Sequence, residues 1–215
     1  MATIDDVLAF WFGTAPAANA AEFGERMKRW YLGGPAEDAA IRERFAGTIE
    51  RALAGELDAW ADTPRGGVAL ILVLDQMTRS MFRDTPRAFA GDARAQRIAL
   101  AMLDAGTGWA LSWEERHFIY MPLVHAEDVT LLDRFNALFP RTLPLVPDFA
   151  RPLLGDGIEQ GRKYRDVVAR FGRFPHRNEV LGRASTPEEA EFLKTWDERR
   201  RPKEFRTLAP VAQKA

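Results

Sequence analysis

The sequence predicts an all-α protein, and three observations carry that prediction. Apolar residues recur three and four positions apart in one segment after another. Several segments open on Ser or Thr followed three residues later by an acid, the reciprocal capping pattern: Thr3 with Asp6, Ser112 with Glu115, Thr186 with Glu189. No pair of alternating stretches is available to form strands, and a lone strand is not stable. Eight or nine helices and no sheet are therefore expected, as one domain over residues 1–205, with 206–215 a frayed tail. Consecutive helix pairs on short turns suggest stacked hairpins or a solenoid-like arrangement, although no fixed-period repeat is visible.

The elements follow in order. Ile4, Val7, Leu8 and Trp11 mark a first helix ending near Gly13, and Phe23, Met27, Trp30 and Tyr31 a second, stopped by Gly33 and Gly34. Pro35 restarts the chain, and the third helix carries Ile41, Phe45, Ile49 and Leu53 as far as Gly55. The uniformly apolar run 68–74 fits a buried strand by periodicity, but its helical neighbours make a buried helix the better reading. Asp92 is placed to cap a helix over 93–105. Another begins at Ser112 and is interrupted at Pro122, and a third runs over 126–139 with Leu131, Phe135, Leu138 and Phe139 at core spacing. Prolines at 140, 144, 147 and 152 mark 140–156 as a long irregular stretch. Ile158, Tyr164, Val168 and Phe171 then build a long helix ended by Gly172, and Thr186 opens the last.

Composition excludes some classes of function. A hydrophobic content of 47% with 28% charged residues is that of a globular protein, and no window reaches the apolar length of a membrane span. The net charge of −1 gives no broad attraction to nucleic acid or anionic membrane. The absence of cysteine removes thiolate catalysis and Cys-ligated metals. No glycine loop with its lysine, nucleophile elbow or zinc spacing is present, so neither a metal nor a cofactor is expected. The N-terminus lacks the basic-then-apolar signal pattern, so the expected location is cytoplasmic.

Three polar groups stand in apolar surroundings. The first is Asp75, Gln76, Arg79 and Arg83, directly after the buried run, where a continued helix carries Asp75 and Arg79 on one face. The second is His125, Glu127 and Asp128, at an expected helix start where carboxylates also suit the dipole. The third is RFGRFPHRNEVLGR, residues 170–183, which mixes four arginines, His176 and Asn178 with Phe171, Phe174, Val180 and Leu181. Aromatic anchors bury such a segment and its guanidinium groups then demand partners, either a ligand or neighbouring carboxylates.

These segments resemble a bacterial family called domain of unknown function 924. The resemblance rests on VLAFWFG (7–13), LDQMTRSMFRDTPRAFAGD (74–92), FIYMPLVHAED (118–128) and RFGRFPHRNEVLGRASTPEE (170–189). It implies a tetratricopeptide-like helical superhelix whose motif segments converge on one cleft, and it implies no activity. The sequence departs from the family pattern in two segments. Met77, Thr78 and Ser80 stand in a segment that in relatives reads Asp-Gln-Phe-Pro-Arg-Asn, and Tyr164 stands where relatives place a histidine.

The functional expectation is a polar cleft that binds a small anionic metabolite. Arg79, Arg83, Arg173, Arg177 and Asn178 would hold the ligand, Asp75, Glu127 and Asp128 would line or orient the site, and His125 and His176 would transfer protons in a hydrolase- or lyase-type step. The alternative is a peptide or protein interaction module in which the arginine motif is an internal clasp.

Overall fold

The computed structural model describes residues 2–196, and the expected tail at 206–215 lies outside that range. The chain divides into two compact units, 1–126 and 127–215. Among the described residues both are helical, with no strand. No helix among them is long and apolar enough to cross a membrane.

The first unit contains α1 (Ile4–Phe12), α2 (Ala20–Leu32), α3 (Pro35–Ala54), α4 (Pro64–Ile71), a π-helical segment (Leu72–Met77), α5 (Thr78–Met81), α6 (Asp92–Asp104) and α7 (Trp113–Val124). The α4, π and α5 segments succeed one another in right-handed helical conformation and make a single rod over 64–81. Residues 68–74 are fully buried, which is why an all-round apolar run is stable here as a helix. The rod packs against α1, α6 and α7. Beside it, Trp11, Phe12, Trp30 and Phe118 meet edge to face, with Trp11 and Phe12 ring centres 5.6 and 5.5 Å from Phe118.

The second unit contains α8 (Val129–Leu138), α9 (Arg151–Phe171) and α10 (Pro187–Leu193). α8 packs on α9, where a Cβ at Gly161 would lie 2.3 Å from the Phe135 ring, so only glycine allows this approach. Phe135 in turn stacks on Phe139 at 4.8 Å.

The capping boxes at Thr3, Ser112 and Thr186 form as expected. Other local expectations change. Tyr31 is 42% exposed instead of completing the α2 stripe. Gly91 precedes α6 without a side-chain cap, and Asp92 is the first helical residue, its carboxylate turned to Arg79. α7 runs through Pro122 to Val124, so the proline does not end the helix although it has no N–H for the Phe118 carbonyl. α8 starts at Val129 under an Asp128 cap, and Leu132 fills the core position expected of Leu131. Within 140–156, most of the irregular stretch is a 3-10 turn (Phe139–Leu145) followed by the start of α9, whose first turn accepts Pro152.

Candidate functional site

The site in the first unit is organised by one buried acid. Asp75 is fully buried and sits on the π segment. That segment forms because the Thr78 N–H reaches the Val73 carbonyl five residues back, and the Thr78 hydroxyl donates to the same oxygen at 2.7 Å. One extra residue in the turn re-aims the side chains that follow, a device common at functional sites.

Asp75 is surrounded by donors. Arg79 Nη1 donates to its backbone carbonyl and stands 3.0 Å from Oδ1, while Gln76 Nε2 donates to Oδ2. His125 Nδ1 lies 2.8 and 3.0 Å from the two carboxylate oxygens. Burial opposes the ionised form, but the Arg79 charge and the hydrogen bonds from His125 and Gln76 outweigh it and hold the carboxyl well below its usual range. An ionised carboxylate only accepts, so Nδ1 carries a proton and donates it to Asp75.

The remaining contacts fix this arrangement. Arg79 Nη2 donates to Asp92 Oδ2 at 2.9 Å. Asp92 is delivered by the Gly91 approach to the rod, where a Cβ would lie 2.2 Å from the Leu74 carbonyl oxygen. His125 is held at the end of α7 by its backbone N–H bond to Met121, at 3.1 Å. Arg83 grips Asp38 with Nε and Nη2 at 2.6 and 2.7 Å.

In the second unit the arginine motif closes on itself. Glu127 accepts from Arg183 through both oxygens, at 2.7 and 2.8 Å, and from the Phe174 amide at 2.7 Å. Burial opposes its ionisation, yet the Arg183 and Phe174 hydrogen bonds keep it below its usual range. Glu189 accepts from Arg173 Nε and Nη2 at 2.7 and 2.9 Å while completing the α10 capping box. The Arg173 hydrogen bonds lower its pKa to about 2. Asn178 is buried and donates to Ser185 and Glu189 at 3.0 and 3.3 Å, while its oxygen accepts from Arg183 at 3.0 Å. Arg177 is buried, with its guanidinium 4.8 Å from the Phe174 ring centre. His176 stacks on Trp196 at 5.3 Å and belongs to a ring group with Tyr164 and Phe174.

The predicted residues thus fall into two hydrogen-bonded groups, Asp75, Arg79 and His125 in one unit and Glu127, Arg173 and Asn178 in the other. Asp128 caps α8, accepting from the Thr130 and Leu131 amides at 2.7 and 3.4 Å. Sequence reasoning placed Asp92 only as a helix cap and missed that its carboxylate pairs with Arg79, thirteen residues earlier. It also missed Arg183 and Glu189 as the partners of the motif, although Arg183 lies within that motif. Among the described residues, no group of three or more His, Asp or Glu is placed to hold a metal.

Comparison with known proteins adds the family. Residues 7–197 match the family described as "Bacterial protein of unknown function (DUF924)". The chain belongs to this family. A solved structure, that of the protein of unknown function ATU0120 from Agrobacterium tumefaciens, is similar at 32% identity with a TM-score of 0.72, covering 89% of this chain and 96% of that one. A search of curated proteins finds no match.

Within the DUF924 pattern, both departures have local consequences. A proline at position 78 would have no N–H for the Val73 carbonyl, so Thr78 closes the π turn with two bonds where proline provides neither. Tyr164 places a ring 5.1 Å from Phe174 and 5.9 Å from Trp196, extending the aromatic group around His176.

Proposed function

We propose that this chain acts on a small molecule through proton transfer at His125, in a hydrolase- or lyase-type step, and that its arginine motif is a structural clasp. The observation that carries the reading is the fully buried Asp75 carboxylate facing His125 Nδ1 with both oxygens. A buried acid that sets the imidazole tautomer and orientation leaves Nε2 as the base, and such positioning typically contributes about 10²- to 10⁴-fold to rate. Arg79, bridging Asp75 and Asp92, keeps the acid ionised and fixed.

Charge counting refines the substrate class. Arg79 stands against both Asp75 and Asp92, so the centre has no surplus positive charge for an anion. This supports a neutral polar substrate, such as an ester or amide, at His125. The clasp is common to this reading and to an interaction module; the His125 pair separates them, because a peptide groove does not require an oriented base.

The test is turnover of a panel of small neutral esters, amides and hydroxy compounds by the wild type and by His125→Asn. Asparagine places an amide N–H near the Nδ1 position and removes Nε2. The expected result is loss of about 10²-fold or more in rate with the melting temperature nearly unchanged. Equal turnover by the variant contradicts the proposal.

A further inference from the structure

The second unit holds a cavity of about 330 Å³ that the His125 chemistry does not use. Its floor is apolar, built from Val167 and Phe171 of α9, Phe192 of α10, and Trp196. Phe192 lies 5.0 Å from Phe171 and 5.1 Å from Trp196 by ring centre, so three rings converge on the space. Two cations of α9 line it as well, Lys163 and Arg170, seven residues apart and therefore on one face of the helix. Asp166 is the one acid in the lining.

Three features define the occupant. The converging rings suit a flat aromatic body, which gains from edge and face contacts as well as burial. Lys163 and Arg170 supply the donors that an acid group would take up in place of their present carboxylate partners. Their observed partners are exposed carboxylates, Glu159 at 2.6 Å and Glu188 at 2.6 Å, and exposed pairs of this kind contribute so little that a ligand can replace them. In addition, Trp196 is 3% exposed and its indole N–H has no hydrogen-bond partner among the described residues. A buried donor without an acceptor is costly, and a ligand oxygen would remove that cost.

We infer that this cavity binds a small aromatic carboxylate, its ring against Phe171, Phe192 and Trp196 and its acid group between Lys163 and Arg170. The site is independent of the His125 proposal. Either can fail without the other.

The experiment follows the indole N–H resonance of Trp196 by ¹H–¹⁵N NMR, assigned by its loss in Trp196→Phe, during titration with phenylacetate, phenylacetamide and hexanoate. Phenylacetate is expected to shift the resonance saturably at millimolar concentration. Phenylacetamide and hexanoate should each bind about tenfold more weakly. The double variant Lys163→Ala/Arg170→Ala, altered only at the cavity edge, should weaken phenylacetate by about tenfold while leaving the spectrum otherwise folded. The proposal is overturned if the resonance does not move, if all three probes shift it equally, or if the double variant binds phenylacetate as well as the wild type.

Discussion

The Asp75 group and the Glu127–Glu189 group are both built from acids, arginines and a nearby histidine, yet they are closed in different ways. In the second unit each acid is gripped by both arms of an arginine and also satisfies a backbone N–H, Phe174 for Glu127 and Thr186 for Glu189. Those bonds tie the 170–189 segment to itself and to the start of α8. In the first unit the acid is buried on a π turn, and one of its partners is an imidazole, His125, which meets it through Nδ1. On the function proposed above, the dense run of arginines is a fastening, and the single histidine against a buried acid is where the chemistry takes place.

The largest expected effect is at Asp75. Asp75→Ala leaves Arg79 and His125 without their buried counter-charge and should cost about 3 to 5 kcal/mol in urea unfolding, the range for breaking a buried pair. A cost near zero would mean that the acid is dispensable and would remove the first group from the comparison.

The second group should respond less. Glu127→Ala removes a half-buried bidentate partner of Arg183 and the acceptor of the Phe174 N–H, with an expected loss of about 2 to 3 kcal/mol. Turnover per folded molecule should not change. A fall in turnover at constant fold would turn the clasp into a working site.

A smaller effect comes from His117, which is buried with Nε2 2.6 Å from the Tyr31 hydroxyl and whose pKa burial lowers to about 3. The unfolded chain takes up a proton near pH 6.5 and the folded chain does not, so stability is full above that pH and falls as the pH drops toward 3. The slope is about 1.4 kcal/mol per pH unit. The carboxylates with lowered pKa, Asp75, Glu127 and Glu189 among them, add their losses only below about pH 4.5, whereas burial raises the Glu114 carboxyl, whose contribution falls as pH rises above that point, so the His117 share of the slope is the part that a His117 substitution removes. His117→Gln should lower the slope of unfolding free energy between about pH 4.5 and pH 6.5. An unchanged slope would assign it elsewhere.

The helices were legible because each rests on local chemistry: Thr3, Ser112 and Thr186 as caps, Gly55 and Gly172 as stops, and a run at 68–74 too apolar to face water. Asp75 with Arg79 was legible for the same reason, being one helical turn apart. The π turn was not, since one additional residue per turn has no signature in composition. Nor was Arg79 with Asp92, whose meeting depends on Gly91 letting two backbones touch. The arginine motif was recognised as a polar construction, but its partners Glu127 and Glu189 lie at distances in sequence that no helical spacing connects.

The most direct measurement on the central claim is the ¹⁵N chemical shift pair of the His125 ring in the wild type and in Asp75→Asn. The expected result is a neutral wild-type ring whose proton sits on Nδ1 against Asp75, and a mixed tautomer population once asparagine replaces the carboxylate. A wild-type ring protonated on Nε2 instead, or a tautomer unchanged in Asp75→Asn, would contradict it.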